Sequence, residues 1–158
     1  MGNPSFVLGR QGNGLHQEKA MDLNTYLMFD GTCETAFKFY EKVLGGKIVA
    51  MMTYAEMPGN SEISKESKDR IMHARLQIGD KVLMASDSPP GRFQAAKGFN
   101  INISVMDPAE ADRLFDALSV KGTVNMPIQE TFWAHRFGMF VDKFGIAWMV
   151  NCERPMQQ

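Results

Sequence analysis

Apolar and polar positions along the chain change period twice in the same order. Leu23 to Phe29 is aromatic and apolar and ends at Asp30-Gly31, which predicts a strand closed by a turn. Ala36, Phe37, Tyr40, Val43 and Leu44 fall on one helical stripe, with Thr32 placed to cap its start and Gly45-Gly46 to stop it. Lys47 to Ala55, Ile71 to Ile78 and Val82 to Ser86 read as strands. The polar stretch 56–70 between the first two reads as a mobile loop, and Gly79-Asp80-Lys81 as a tight hairpin.

After the breaker Pro89-Pro90-Gly91 the pattern restarts. Phe99 to Val105 alternates, with Asn100, Asn102 and Ser104 on the polar side. Asp107 then reads as a helix cap, Pro108 as the first helical residue and Glu110 as the far half of a capping box. Ala111, Leu114, Phe115 and Leu118 make the stripe, and Gly122 is placed to end it. Three strands follow, over Thr123 to Gln129, His135 to Asp142 and Ile146 to Cys152. The pattern predicts an α+β fold of two βαβββ modules forming a curled mixed sheet with an open cleft.

The boundaries follow. Residues 1–20 are rich in Gly and Asn, lack periodicity and read as a flexible extension, expression-derived or from an upstream start. Residues 21–153 form a single domain: module one over 21–88, a linker over 89–98 and module two over 99–153, with a tail at 154–158. The formal net charge of -1 supplies no field to capture nucleic acid or an acidic membrane. No apolar run reaches the roughly 18 residues a membrane helix needs. The two cysteines, Cys33 and Cys152, make neither a paired zinc motif nor a disulfide scaffold. These features predict a soluble protein of the reducing cytoplasm.

Helices cover one face of each sheet, so the opposite face is where a ligand would lie. On the third strand that face carries His73, Arg75 and Gln77. Arg75 and Gln77 read as a plain solvent-facing stripe. His73 is either a structural histidine or a group that binds a ligand or moves a proton. Asn100 and Asn102 are either solvent-facing or used by a ligand. Trp133 and Arg136 could sandwich an aromatic or hold an anion. Alternatively, Arg136 pairs with Asp142 or another acid and Trp133 packs in a dimer seam. His135 reads as a surface strand end, although a two-histidine metal site with His73 stays open. Cys33 reads as inert.

The segments YLMFDGTCETAFKFYEKVLGGKI, MHARLQIGDKVLMASD and FNINISVMDPAEADRLFDAL are followed by FWAHRFGMFVDKFGIAWMVN. Together they resemble the PhnB-like branch of the vicinal oxygen chelate superfamily, which includes glyoxalase I, bleomycin-resistance proteins and extradiol dioxygenases. The most specific part is the ending with Trp133, Arg136, Phe137, Gly138, Asp142, Phe144, Gly145 and Trp148. The resemblance implies paired βαβββ modules and a homodimer. Members have carried a 3-demethylubiquinone methyltransferase label, but no GxGxG loop follows the first strand here. Metal-dependent relatives hold a divalent ion with His and Glu at four strand positions, which fall on Thr25, Met84, Asn100 and Met149 in this chain. Two thioethers, an amide and a hydroxyl do not suit such an ion. The expectation is a protein with no metal and no cofactor that binds a small, partly apolar molecule. Its ligand cleft would comprise Thr25, His73, Met84, Asn100, Asn102, Trp133, Arg136 and Met149. The alternative is a lyase, isomerase or dioxygenase-type enzyme using His73 or a noncanonical metal. A weaker third reading is a structural or regulatory dimer with no small ligand, which a collapsed, filled cleft would support.

Overall fold

A computed structural model describes residues 21–59 and 62–155, so the expected extension over 1–20 and the end of the tail lie outside the described residues. Module one runs β1 (Thr25–Phe29), α1 (Cys33–Leu44), β2 (Lys47–Thr53), a 3-10 turn (Tyr54–Glu56), β3 (Ile71–Ile78) and β4 (Lys81–Asp87). Module two runs β5 (Ile101–Ser104), α2 (Pro108–Ser119), β6 (Thr123–Gln129), β7 (Ala134–Val141) and β8 (Ala147–Glu153). The α+β fold of paired βαβββ modules stands. Its strands divide into two four-stranded sheets, ordered β1-β4-β3-β2 and β5-β8-β7-β6. In each, the first strand pairs in parallel with the last and the other neighbours are antiparallel.

Long-range contacts set the start of α1. Thr32 sits at the cap position, but its side chain makes no capping hydrogen bond. Phe29 at the end of β1 is in register with Asp87 at the end of β4, so the Asp87 carboxylate lies beside the turn that follows β1. Its Oδ1 accepts from Cys33 N at 3.0 Å and its Oδ2 from Ile71 N at 2.8 Å. A carboxylate at a helix N-terminus satisfies an orphan amide and complements the helix dipole. At α2 the local cap holds, since Asp107 Oδ1 accepts from Ala109 N at 3.0 Å. Glu110 binds Arg113 through both oxygens instead of folding back to the cap. Arg113 Nη2 also donates to Val43 O of α1 at 3.1 Å, so this pair joins the two helices.

Gly45 ends α1 as expected, in the left-handed conformation at φ 68°. Gly122 plays another part. The left-handed residue after α2 is Lys121, at φ 58°. Gly122 is needed for close approach, because a Cβ there would lie 2.2 Å from Val141 O. The segment expected to be a mobile loop is tied back at both ends. Ala55 N donates to Lys68 O and Tyr54 N to Arg70 O. Arg70 itself reaches Asp30 and Ser88 O.

The helix-facing sides of both modules form one core, with Phe37, Tyr40, Leu76 and Ala85 from module one and Leu118, Phe140, Trp148 and Val150 from module two. Tyr40 stacks edge-on against Trp148 and Phe144, and Phe39 also meets Phe144. Burying these aromatic faces joins the modules through α1 and the β7–β8 turn.

Candidate functional site

Strand alternation leaves each sheet one face away from the helices. In β1, Leu27 and Phe29 are buried against α1, whereas Tyr26 and Met28 are 44% and 42% exposed. Register places Tyr26 beside Met84 on β4, Met84 beside Arg75 on β3, and Arg75 beside Ala50 on β2. Met52 lies opposite His73. The Tyr26 hydroxyl and His73 Nδ1 are 3.2 Å apart, a hydrogen bond whose direction follows the imidazole tautomer. Ser86 Oγ donates to Met28 Sδ at 3.5 Å. The open face of module one is thus a methionine floor crossed by a phenol–imidazole pair and a guanidinium.

Module two repeats the geometry with different chemistry. Asn102 lies opposite Met149, which lies opposite Met139. Ser104 is opposite Asn151, which is opposite Phe137. Asn102 Nδ2 donates to Ser104 Oγ, and Asn151 Nδ2 to Glu153 Oε1. Asn151 Oδ1 is buried without a hydrogen-bond partner. Trp133 packs edge-on to Phe137 at 5.4 Å and to Phe132 at 4.8 Å, forming an aromatic border to this face. Phe132 is 90% exposed.

The strands divide the residues expected in the cleft. Met84, Met149, His73 and Asn102 stand on the open faces, with Trp133 at a border. Thr25 does not, because it alternates with Leu27 and Phe29 and pairs with Leu83 on the helix side. Its neighbour Tyr26 holds the open position. Asn100 precedes β5 and is exposed outside the strand. Arg136 lies in register with Cys152 on the face carrying Gly138 and Phe140, and its Nε donates to Asp112 Oδ1 of α2 at 2.6 Å. It is a helix-to-sheet tie, and its partner is Asp112 because Asp142 serves other donors. Tyr26, Phe137 and Asn151 were missed. Alternation within TYLMF would have exposed Tyr26 once Leu27 and Phe29 were recognised as its core side.

The cavities of the single chain follow the seam and the edges. A groove of about 450 Å³ runs between β4 and β5, lined by Leu44, Val82, Leu83, Ile101, Ile103 and Trp148. Thr25 lines another of about 530 Å³ with Leu83 and Ile101. His135 is exposed beside a third, of about 600 Å³, with Ser104, Glu153 and Arg154. His73 and His135 stand on different sheets, and among the described residues no group of three or more His, Cys, Asp or Glu could hold a metal ion. At the middle of the inner strands the open positions are Tyr26 beside Met84 and Asn102 beside Met149. A phenol, an amide and two thioethers do not fit a hard or borderline divalent ion. Cys33 is buried, and burial, followed by the charges of Asp87 and Glu34, pushes its thiol pKa up, which disfavours the reactive thiolate.

Two βαβββ modules on one core, each with an open sheet face, make the glyoxalase/bleomycin-resistance/dioxygenase fold. A glyoxylase/bleomycin resistance protein/dioxygenase domain from Frankia sp. shares the fold at TM-score 0.60 and 15% identity, over 85% of this chain and 98% of its own. A family model described as 3-demethylubiquinone-9 3-methyltransferase matches residues 21–151, and the chain belongs to this family. Protein YjdN of Escherichia coli K12 is 35% identical over 147 residues, covering 87% of this chain and all 100% of YjdN. The crystal structure of protein PA1353 from Pseudomonas aeruginosa is 47% identical with TM-score 0.79, covering 86% of this chain and 100% of that one.

Proposed function

We propose that the protein is a metal-free binder of a small, partly apolar molecule, held on the open faces of its sheets. The observation that carries this reading is the donor set at Tyr26, Met84, Asn102 and Met149, which presents polarizable apolar surface where metal-dependent members of the class need imidazole and carboxylate. Methionine floors suit ligands of irregular shape, and Tyr26, Asn102 and Ser104 supply directional hydrogen bonds. The methyl transfer named by the family description finds no support in the β1–α1 turn, which is Asp30-Gly31-Thr32 with a buried carboxylate at the helix start. A cytoplasmic homodimer completes the reading. Exposed Phe132 and Trp133 leave apolar surface for a second copy.

The test is elemental analysis of protein purified without a chelator or a polyhistidine tag, followed by ligand screening. The expected result is no stoichiometric metal, and Met84→Glu altering ligand binding. About one Zn, Ni, Mn or Fe per subunit, lost on Met84→Glu, would overturn the proposal.

The Tyr26–His73 hydrogen bond favours a second reading, an enzyme of the same fold that moves a proton. In that case His73→Ala and Tyr26→Phe each lower turnover of an identified substrate by about 100-fold or more. Undiminished turnover in both variants would dismiss it.

A further inference from the structure

The described arginines fall into distinct groups. Arg70, Arg113, Arg136 and Arg154 each pair with a carboxylate, on Asp30, Glu110, Asp112 and Glu130 respectively. Arg92 is exposed in the linker. Arg75 differs from all of these. It is partly buried in the middle of β3, alternates with buried Ala74 and Leu76, and its side chain makes no hydrogen bond or ion pair among the described residues. No carboxylate shares its face of the sheet. Across the module-one open face, no strand position is Asp or Glu, and the other ionisable groups are His73, Tyr26 and Lys47. The protein satisfies its other partly buried guanidinium groups with carboxylates and leaves this one, in the row with Tyr26 and Met84, without an anion.

A partly desolvated guanidinium without a counter-charge carries an uncompensated cost, and its planar fork of donors matches an oxyanion. Around it lie the apolar side chains Met28, Met52 and Met84 and the Tyr26–His73 pair. We propose that Arg75 anchors a carboxylate or phosphoryl oxyanion of a ligand whose apolar body lies on Met28, Met52 and Met84. This rests on the ligand-binding reading above and adds the charge and polarity of the ligand. Sequence alternation put Arg75 on a plain solvent-facing stripe with Gln77. The structure separates the two, since Gln77 is exposed and turns to Gly79 O while Arg75 stays partly buried.

The experiment titrates protein carrying 13C-methyl methionine with phenylacetate, phenyl phosphate and neutral phenylacetamide, read by NMR. Wild type, Arg75→Met, Arg75→Lys and Arg92→Met are compared. The expected result is that one or both anions shift the Met28, Met52 and Met84 methyl resonances. Arg75→Met should weaken anion binding by about tenfold or more, Arg75→Lys by less, and Arg92→Met not at all. Amide binding should be unchanged in every variant. Preference between the planar and the tetrahedral anion identifies the head group. If anion and amide bind alike, or Arg75→Met binds like wild type, the anion assignment falls and the ligand-binding reading stands. If no probe moves any methionine methyl, both fall. If Arg75→Met dissociates a dimer while probe binding is unchanged, Arg75 pairs with a carboxylate of a second copy and the assignment falls.

Discussion

The Tyr40 hydroxyl on α1 donates to Asp142 Oδ2 at 2.5 Å across 102 residues of sequence, and this bond locks module one to module two. The same oxygen accepts from Trp148 Nε1 at 2.8 Å, while Oδ1 accepts from Phe144 N and Ile146 N. Asp142 is 3% exposed, so a buried charge is offset by four donors. Asp142→Asn turns an amide N–H toward two donors and should cost about 3 kcal/mol or more, whereas Tyr40→Phe leaves three donors in place and should cost about 1.5 kcal/mol. Urea unfolding midpoints measure both. Equal, small losses would show that the lock contributes little.

The same pair sets an alkaline limit. Burial, and then the charge of Asp142, push the Tyr40 phenol well above the ordinary tyrosine value of 10.0. In the unfolded chain this phenol ionises near that ordinary value, so only there is deprotonation easy. The stability it contributes is fully present below about pH 10 and is lost as the pH rises beyond that. Unfolding midpoints should fall progressively above that pH. Tyrosinate absorbance should show one of the three tyrosines ionising only as the protein unfolds. Tyr40→Phe should remove that component.

Asp87, and not Thr32, holds the start of α1. Asp87→Ala strands two buried amides, Cys33 N and Ile71 N, and should destabilise by about 2–4 kcal/mol. Thr32→Ala removes no capping bond and should change stability by about 0.5 kcal/mol or less. Chemical denaturation of the two variants checks the assignment, and a reversed order would restore the local cap.

Arg136 ties β7 to α2 through its ion pair with Asp112. Its ion pair with Asp112 is partly solvent-exposed, with side-chain exposures of 29% and 43%. Arg136→Met should therefore cost about 1 kcal/mol or less and leave binding of the phenyl probes unchanged. Phe137→Ala, on the open face beside Asn151, should weaken any ligand that spans module two. NMR titration distinguishes them, and an Arg136→Met protein that loses anion binding would put that residue back in the site.

Period and punctuation alone made most elements legible. The limits of β3 and β6 match the apolar pattern end to end, and α1 and α2 lie where the stripes of Phe37–Tyr40 and Leu114–Leu118 place them. Misreadings occurred where a distant residue decides a local question. Thr32 has the right chemistry for a cap, but parallel pairing of β1 with β4 brings in a stronger acceptor. Gly122 has the right chemistry for a helix stop, but the nearby Val141 carbonyl explains it. Thr25 on β1 and Arg136 on β7 both lie on the helix side, and facing is decided by which neighbour carries the helix.

The sequence by itself determined the two βαβββ repeats and the helix stripes. These depend on residue type and spacing, which are local properties of the chain. Only the tertiary structure decided that Asp142 joins the modules, that Tyr26 meets His73, and that Arg75, alone among the described partly buried arginines, stands without a carboxylate. Each is a relation between residues distant in sequence. A polar group's partner depends on which strands and helices pack together, and spacing along the chain does not encode that.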